Sequence, residues 1–234
     1  MREAASETDC HPSCNTPDAD ADADDRIVVL GIGNVLWADE GFGVRAVEAL
    51  DARFSFAPHV SLVDGGTQGL YLIQHVQQAD YLLIFDAVDY NMAPGTLKFV
   101  ADDEVPRFLG VKKLSLHQTG FQEVLSLATL TGQYPRHVLL IGCQPQELDD
   151  YGGSLRPVVK AAMQDALAWG LDELTRWGAQ PMERQTPLAA RERVTLDELA
   201  LTAYEVQRPA AEAACRVGDE RFLASPPSHN RNGA

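Results

Sequence analysis

The chain alternates short unbroken apolar runs with stretches in which apolar residues recur every three or four positions. The runs are Ile27-Val28-Val29-Leu30, Tyr81-Leu82-Leu83-Ile84-Phe85 and Val138-Leu139-Leu140-Ile141. Strands that are apolar on both sides predict a sheet covered on both faces. His59 to Asp64 and Thr96 to Val100 are weaker strand candidates. After a glycine-rich turn, Val44, Val47, Leu50 and Phe54 recur at helical spacing. Thr119-Gly120-Phe121-Gln122 resembles a capping box, and Phe121, Val124, Leu125 and Ala128 then line one helix face. The longest predicted helix begins near Leu155, with Pro157 tolerated in its first turn. Its stripe is Leu155, Val158, Val159, Ala162, Met163, Ala166, Leu167, Leu171 and Leu174. Strand–helix alternation of this kind predicts an α/β fold built on a mostly parallel sheet.

Charge marks the boundaries of that pattern. The 234 residues carry a formal net charge of -15, which argues against nucleic acid or an anionic membrane surface as partner, since phosphates demand a basic footprint. Residues 1–25 hold eight acids and one base and contain no Val, Ile, Leu or aromatic residue. They cannot bury enough surface to offset the entropy of ordering, so an acidic disordered tail is expected. Residues 26–177 form the expected domain. Residues 178–234, interrupted by Pro181, Pro187, Pro209, Pro226 and Pro227, read as a C-terminal extension, partly helical or disordered. No run reaches the ~18 uncharged apolar residues of a membrane helix, and the start lacks the basic-then-apolar order of a secretory signal. A cytoplasmic enzyme without membrane insertion, working as a monomer, is the expectation.

In parallel sheets ligands gather outside the carboxyl ends of the strands, and the informative residues fall there. The first apolar run leads into Gly31-Ile32-Gly33-Asn34-Val35-Leu36-Trp37-Ala38-Asp39-Glu40-Gly41-Phe42-Gly43. This begins like a dinucleotide loop, but Leu36 stands at the third glycine position, where a bulky side chain hinders close helix–strand packing. The loop instead delivers Asp39 and Glu40 just before a helix. Asp86 follows the second apolar run, and an acid at the end of a buried strand is costly unless partnered. His117 precedes the predicted helix start. Two carboxylates and an imidazole form an oxygen, oxygen, nitrogen set suited to a borderline divalent metal with open coordination positions.

Taken in order, Gly31-x-Gly33-Asn34-x-Leu36-x-x-Asp39-Glu40-Gly41-x-Gly43, Asp64-Gly65-Gly66-Thr67, Asp86-Ala87, Pro94-Gly95-Thr96, Asp103-Glu104-Val105-Pro106 and His117-Gln118 resemble the hydrogenase maturation endopeptidases over about residues 26–175. The members processing the large subunit of membrane-associated uptake nickel–iron hydrogenases are the nearest in pattern. The resemblance implies a three-layer α/β fold with a mostly parallel, five-stranded twisted sheet flanked by helices. It implies that Glu40, Asp86 and His117 correspond to nickel-contacting and catalytic residues, with Asp39 a further catalytic candidate. It also implies removal of a C-terminal extension from the large-subunit precursor after nickel insertion, the nickel arriving with the substrate. Family members are classed as aspartic-type peptidases. A metal-positioned water and a carboxylate-activated water remain alternative nucleophiles, and a non-catalytic nickel-sensing chaperone remains an alternative on the same scaffold.

Other devices are weak. No Gly-x-Ser-x-Gly elbow or His-Glu-x-x-His helix is present. Cys143 ends a strand and reads as core. Cys10-His11-Pro12-Ser13-Cys14 is a chance-level ligand set, and Cys215 has no neighbouring partner in sequence. Val194 to Val206 shows an apolar helical face formed by Leu196, Leu199, Ala200, Ala203 and Tyr204, suited either to docking the large subunit or another maturation factor or to packing back on this protein.

Overall fold

The computed structural model describes residues 25–106 and 116–208. Nearly all of the acidic tail, the Cys10–Cys14 segment, Cys215 and the remainder of the C-terminal extension lie outside these residues.

The three continuous apolar runs form the centre of the sheet: β1 (Ile27–Ile32), β4 (Tyr81–Ala87) and β6 (His137–Cys143). All of β1 and β4 is buried, as strands covered on both faces must be. β3 (Val60–Gly66) and β5 (Leu97–Ala101) occupy the edges, in the order β3-β1-β4-β6-β5. Every pairing is parallel except β5 with β6.

Side-chain alternation divides the core into two layers. Ile27, Val29, Leu83, Phe85 and Ile141 face α1 (Phe42–Arg53) and α4 (Pro157–Arg176). Val28, Leu30, Ile84, Val138 and Leu140 face the other way, among residues of α2 (Ile73–Gln78) and α3 (Leu116–Leu130). The result is the expected helix–sheet–helix sandwich. Val159, Met163, Ala166, Leu167 and Leu174 of the predicted α4 stripe are buried, whereas Val158 is 39% exposed because it lies at the margin of the face. α3 is already helical at Leu116, so Thr119 sits inside the first turns and not at the helix start, and His117 is part of the helix.

The chain does not leave the fold at Trp177. That indole is buried 5.2 Å from the Tyr81 ring, and the chain continues as a strap across α1. A two-residue strand β7 (Met182–Glu183) pairs with β2 (Phe54–Ser55). Val194 N–H then donates to the Asp51 carboxylate at 2.8 Å. Buried Arg45 donates to Glu48 and to the Leu199 carbonyl, and its guanidinium lies 5.4 Å from the centre of the Tyr204 ring. The helix predicted over Val194 to Val206 is shortened to α5 (Leu201–Gln207). Its backbone is diverted to tertiary partners just upstream, since Leu201 N–H donates to Glu48 at 2.8 Å. Of the two uses left open for this helix, the structure displays packing against the protein's own surface. Among the described residues no helix is long and apolar enough to cross a membrane.

Glycines set how closely α1 approaches the sheet. A Cβ on Gly43 would stand 2.1 Å from the Phe85 carbonyl oxygen and 2.3 Å from that of Ile32. Both are backbone atoms of central strands and cannot yield. Gly43→Ala is therefore expected to destabilise the protein by about 3 kcal/mol or more, read as a loss of thermal midpoint by circular dichroism; an unchanged midpoint would contradict this packing.

Candidate active site

β1 connects through α1 to β3 on one side, while β4 lies on the other side of β1. The chain thus reverses its winding between β1 and β4, and in open α/β sheets the carboxyl ends at such a switch are where ligands bind. Asp86 is the penultimate residue of β4, 1% exposed, and pairs in register with Gly142 of β6. Glu40 belongs to a single 3-10 turn (Ala38–Gly41) that packs on β4 immediately before α1. Its backbone is held by its own loop: Glu40 N–H donates to the Trp37 carbonyl at 2.9 Å, and the Glu40 carbonyl accepts from Asn34 N–H at 3.2 Å. A Cβ on Gly33 would meet the Glu40 carbonyl oxygen at 1.9 Å, and Gly33 has φ 137, so only glycine lets the loop close so tightly.

Asp39 is fully buried and has a distinct use. Its Oδ2 accepts N–H bonds from Gln146 and Glu147 at 2.9 Å each, and its Oδ1 accepts from Arg156 N–H at 2.6 Å. Its own N–H donates to the Glu147 carbonyl at 3.1 Å. The carboxylate therefore staples the loop bearing Glu40 to the connection between β6 and α4. Trp37 reinforces this seam through bridges to Tyr151 and Gly153, its ring 5.3 Å from that of Tyr151. These bonds fit a positioning role for Asp39 beside Glu40.

His117 lies in the first described turn of α3. Its neighbour Gly120 packs against Gly69, which follows β3; a Cβ on Gly120 would stand 3.4 Å from the Gly69 Cα. The backbone of the histidine turn therefore reaches the carboxyl end of the sheet, on the α2/α3 side. The His117 side chain lies outside the description. Among the side chains that are described, no three His, Cys, Asp or Glu residues form a metal-sized group.

Other polar groups border this end of the sheet. Asp64, at the end of β3 opposite Gly31, has its pKa raised by burial. The Cys143 thiol is pushed up to about 12, first by burial and then by the Asp39 charge, which supports its reading as an inert core residue. Sequence reasoning missed Tyr90. Burial, followed by the charge of Asp86, raises its pKa so far that the phenol stays protonated. No periodic signal marks this residue, which lies in the loop between β4 and Pro94. A cavity of about 500 Å³ lies elsewhere, between α1 and the strap, with Asp51, Leu188, Arg193 and Val206 in its lining. It includes none of Glu40, Asp86 or Asp39.

The structure is a three-layer α/β sandwich with two carboxylates at its winding switch and a histidine-bearing helix turn at the same end. The sequence model of the hydrogenase maturation protease family (HycI) matches residues 44–173. The chain belongs to that family and is a protease. It is 66% identical over 197 residues to the hydrogenase expression/formation protein HoxM of Cupriavidus necator, spanning 84% of this chain and 98% of that one. It is 41% identical over 161 residues to the hydrogenase 2 maturation protease of Escherichia coli, spanning 68% and 97%. The solved hydrogenase maturating endopeptidase HybD of E. coli superposes with a TM-score of 0.65 at 39% identity, covering 68% of this chain and 98% of that one.

Proposed function

We propose that this protein is an endopeptidase that removes a C-terminal extension from the nickel-loaded large-subunit precursor of a nickel–iron uptake hydrogenase. The observation that carries the reading is the convergence of the Glu40 turn and Asp86 at the winding switch between β1 and β4, inside a family of hydrogenase maturation proteases. Two carboxylates and one imidazole leave coordination positions open, which suits a metal presented by a substrate better than a closed structural site does. Nickel is thus part of the substrate, and when bound it supplies a Lewis acid beside the scissile peptide. Glu40, Asp86 and His117 hold the nickel-bearing end of the precursor so that the extension lies across the rim. Either carboxylate can take the proton of the attacking water, the role that an aspartic-type classification assigns to such a group, and the imidazole can orient that water or protonate the leaving amine. Asp39 keeps Glu40 in place from behind.

The reaction belongs in the cytoplasm, where the precursor is made. The protein acts as a monomer in this reading, and other maturation factors are candidate partners for delivering the precursor. Incubation with purified nickel-loaded precursor is expected to shorten the precursor by a fixed C-terminal mass. A precursor that binds and keeps its full mass would favour the alternative, a nickel-sensing chaperone that uses the same three residues without cutting.

A further inference from the structure

The alternation of β4 and β6 places Asp86 next to a residue that has no side chain. Ile84 and Leu140 face the α2/α3 layer, and Phe85 and Ile141 face the opposite one. Asp86 and its register partner Gly142 therefore both project toward α2/α3, the side from which the His117 turn arrives. At Gly142 the position of a side chain is already taken. A Cβ there would lie 1.7 Å from the Tyr90 hydroxyl oxygen and 2.8 Å from the ring carbon that bears it. Neighbouring strands are about 4.8 Å apart, so a hydroxyl lodged over Gly142 is within side-chain reach of the Asp86 carboxylate.

The phenol is held in that slot by its own loop. Tyr90 N–H donates to Gln144 Oε1 at 2.6 Å, and Met92 N–H donates to the same oxygen at 3.2 Å. The Gln144 amide donates in turn to Asp89 Oδ1 at 3.0 Å and to the Pro145 carbonyl at 3.2 Å. Gln144 itself is 6% exposed and follows β6 directly. The Lys98 ammonium lies 5.6 Å from the centre of the Tyr90 ring. One buried amide thus ties the Tyr90 loop to the strand that carries Gly142, and the position of the hydroxyl is built before any substrate arrives.

We propose that Tyr90 is a positioning residue of the active site, its hydroxyl lodged over Gly142 to donate to the Asp86 carboxylate and fix which oxygen faces the nickel-bearing substrate. A carboxylate that contacts a metal through one oxygen swings unless the other is held, and such supporting partners govern metal affinity or activity by about 10–100-fold. The bond is made in the substrate complex, where catalytic hydrogen bonds that are long in the resting enzyme close up. This inference rests on the nickel-dependent processing proposed above.

Tyr90→Phe removes the hydroxyl and keeps the ring over Gly142. Cleavage of nickel-loaded precursor, followed by mass spectrometry over a range of precursor concentrations, is expected to show kcat lowered about 10–100-fold, with KM and the thermal midpoint unchanged. An unchanged kcat in a preparation whose wild type cuts normally overturns the inference and leaves the processing reading intact. A rise in KM alone, or a fall in kcat accompanied by a lower thermal midpoint, also overturns it, since the hydroxyl would then serve binding or stability. A wild type that leaves the precursor intact overturns the processing reading and this inference together.

Discussion

Asp86→Asn is expected to abolish detectable precursor processing while the protein folds as before. The substitution keeps the shape of a side chain that is 1% exposed and removes its charge. Under the proposed reading it removes both a metal contact and a proton acceptor. General-base groups contribute about 10²–10⁴-fold to rate, so cleavage should fall by at least that much. Folding should be spared for a physical reason. Burying a carboxylate is costly, and the amide carries less of that cost. The thermal midpoint should therefore stay within ~4 °C, which corresponds to about 1 kcal/mol for a chain of this size. Glu40→Gln should behave in the same way. Full processing by either variant would remove that residue from the mechanism, and an unfolded Asp86→Asn would show the carboxylate to be structural.

Asp39→Ala should do the reverse and act first on stability. It strands the N–H groups of Gln146, Glu147 and Arg156 at a seam between two loops. Each buried donor left unmade costs about 1–3 kcal/mol. Allowing for partial replacement by water, the loss is expected at about 3–5 kcal/mol, a large share of the ~5–15 kcal/mol that holds a domain together. The thermal midpoint should drop by roughly 10 °C, and Asp39→Asn, which keeps one acceptor oxygen, should fall between the two. Activity losses should follow the loss of structure. An Asp39→Ala protein that melts like wild type yet cuts nothing would return Asp39 to the chemistry.

These two residues show where sequence reasoning reaches its limit. The carboxyl-end location of Asp86 was legible because an unbroken run from Tyr81 to Phe85 has to be a buried strand, and the acid follows it directly. The sheet, its parallel character and its two helical layers were legible for the same reason. Asp39 and Glu40 are adjacent and chemically alike, and only the long-range bonds to Gln146, Glu147 and Arg156 separate a staple from a half-buried candidate base. The strap was illegible because Arg45 reads as an outward polar residue of α1. Its burial depends on a carbonyl at Leu199, 154 residues away. The same contact explains why the apolar periodicity from Val194 overstates α5. Tyr90 escaped notice because what singles it out is the missing side chain of Gly142 on another strand.

The central claim is that the rim formed by Glu40, Asp86 and the His117 turn reads nickel on the substrate before the chain is cut. The most direct test gives the purified protein the same large-subunit precursor in two forms, loaded with nickel and free of it, and follows the mass of each. The account predicts loss of the C-terminal extension from the loaded form and none from the nickel-free form. Equal cleavage of both forms would contradict it.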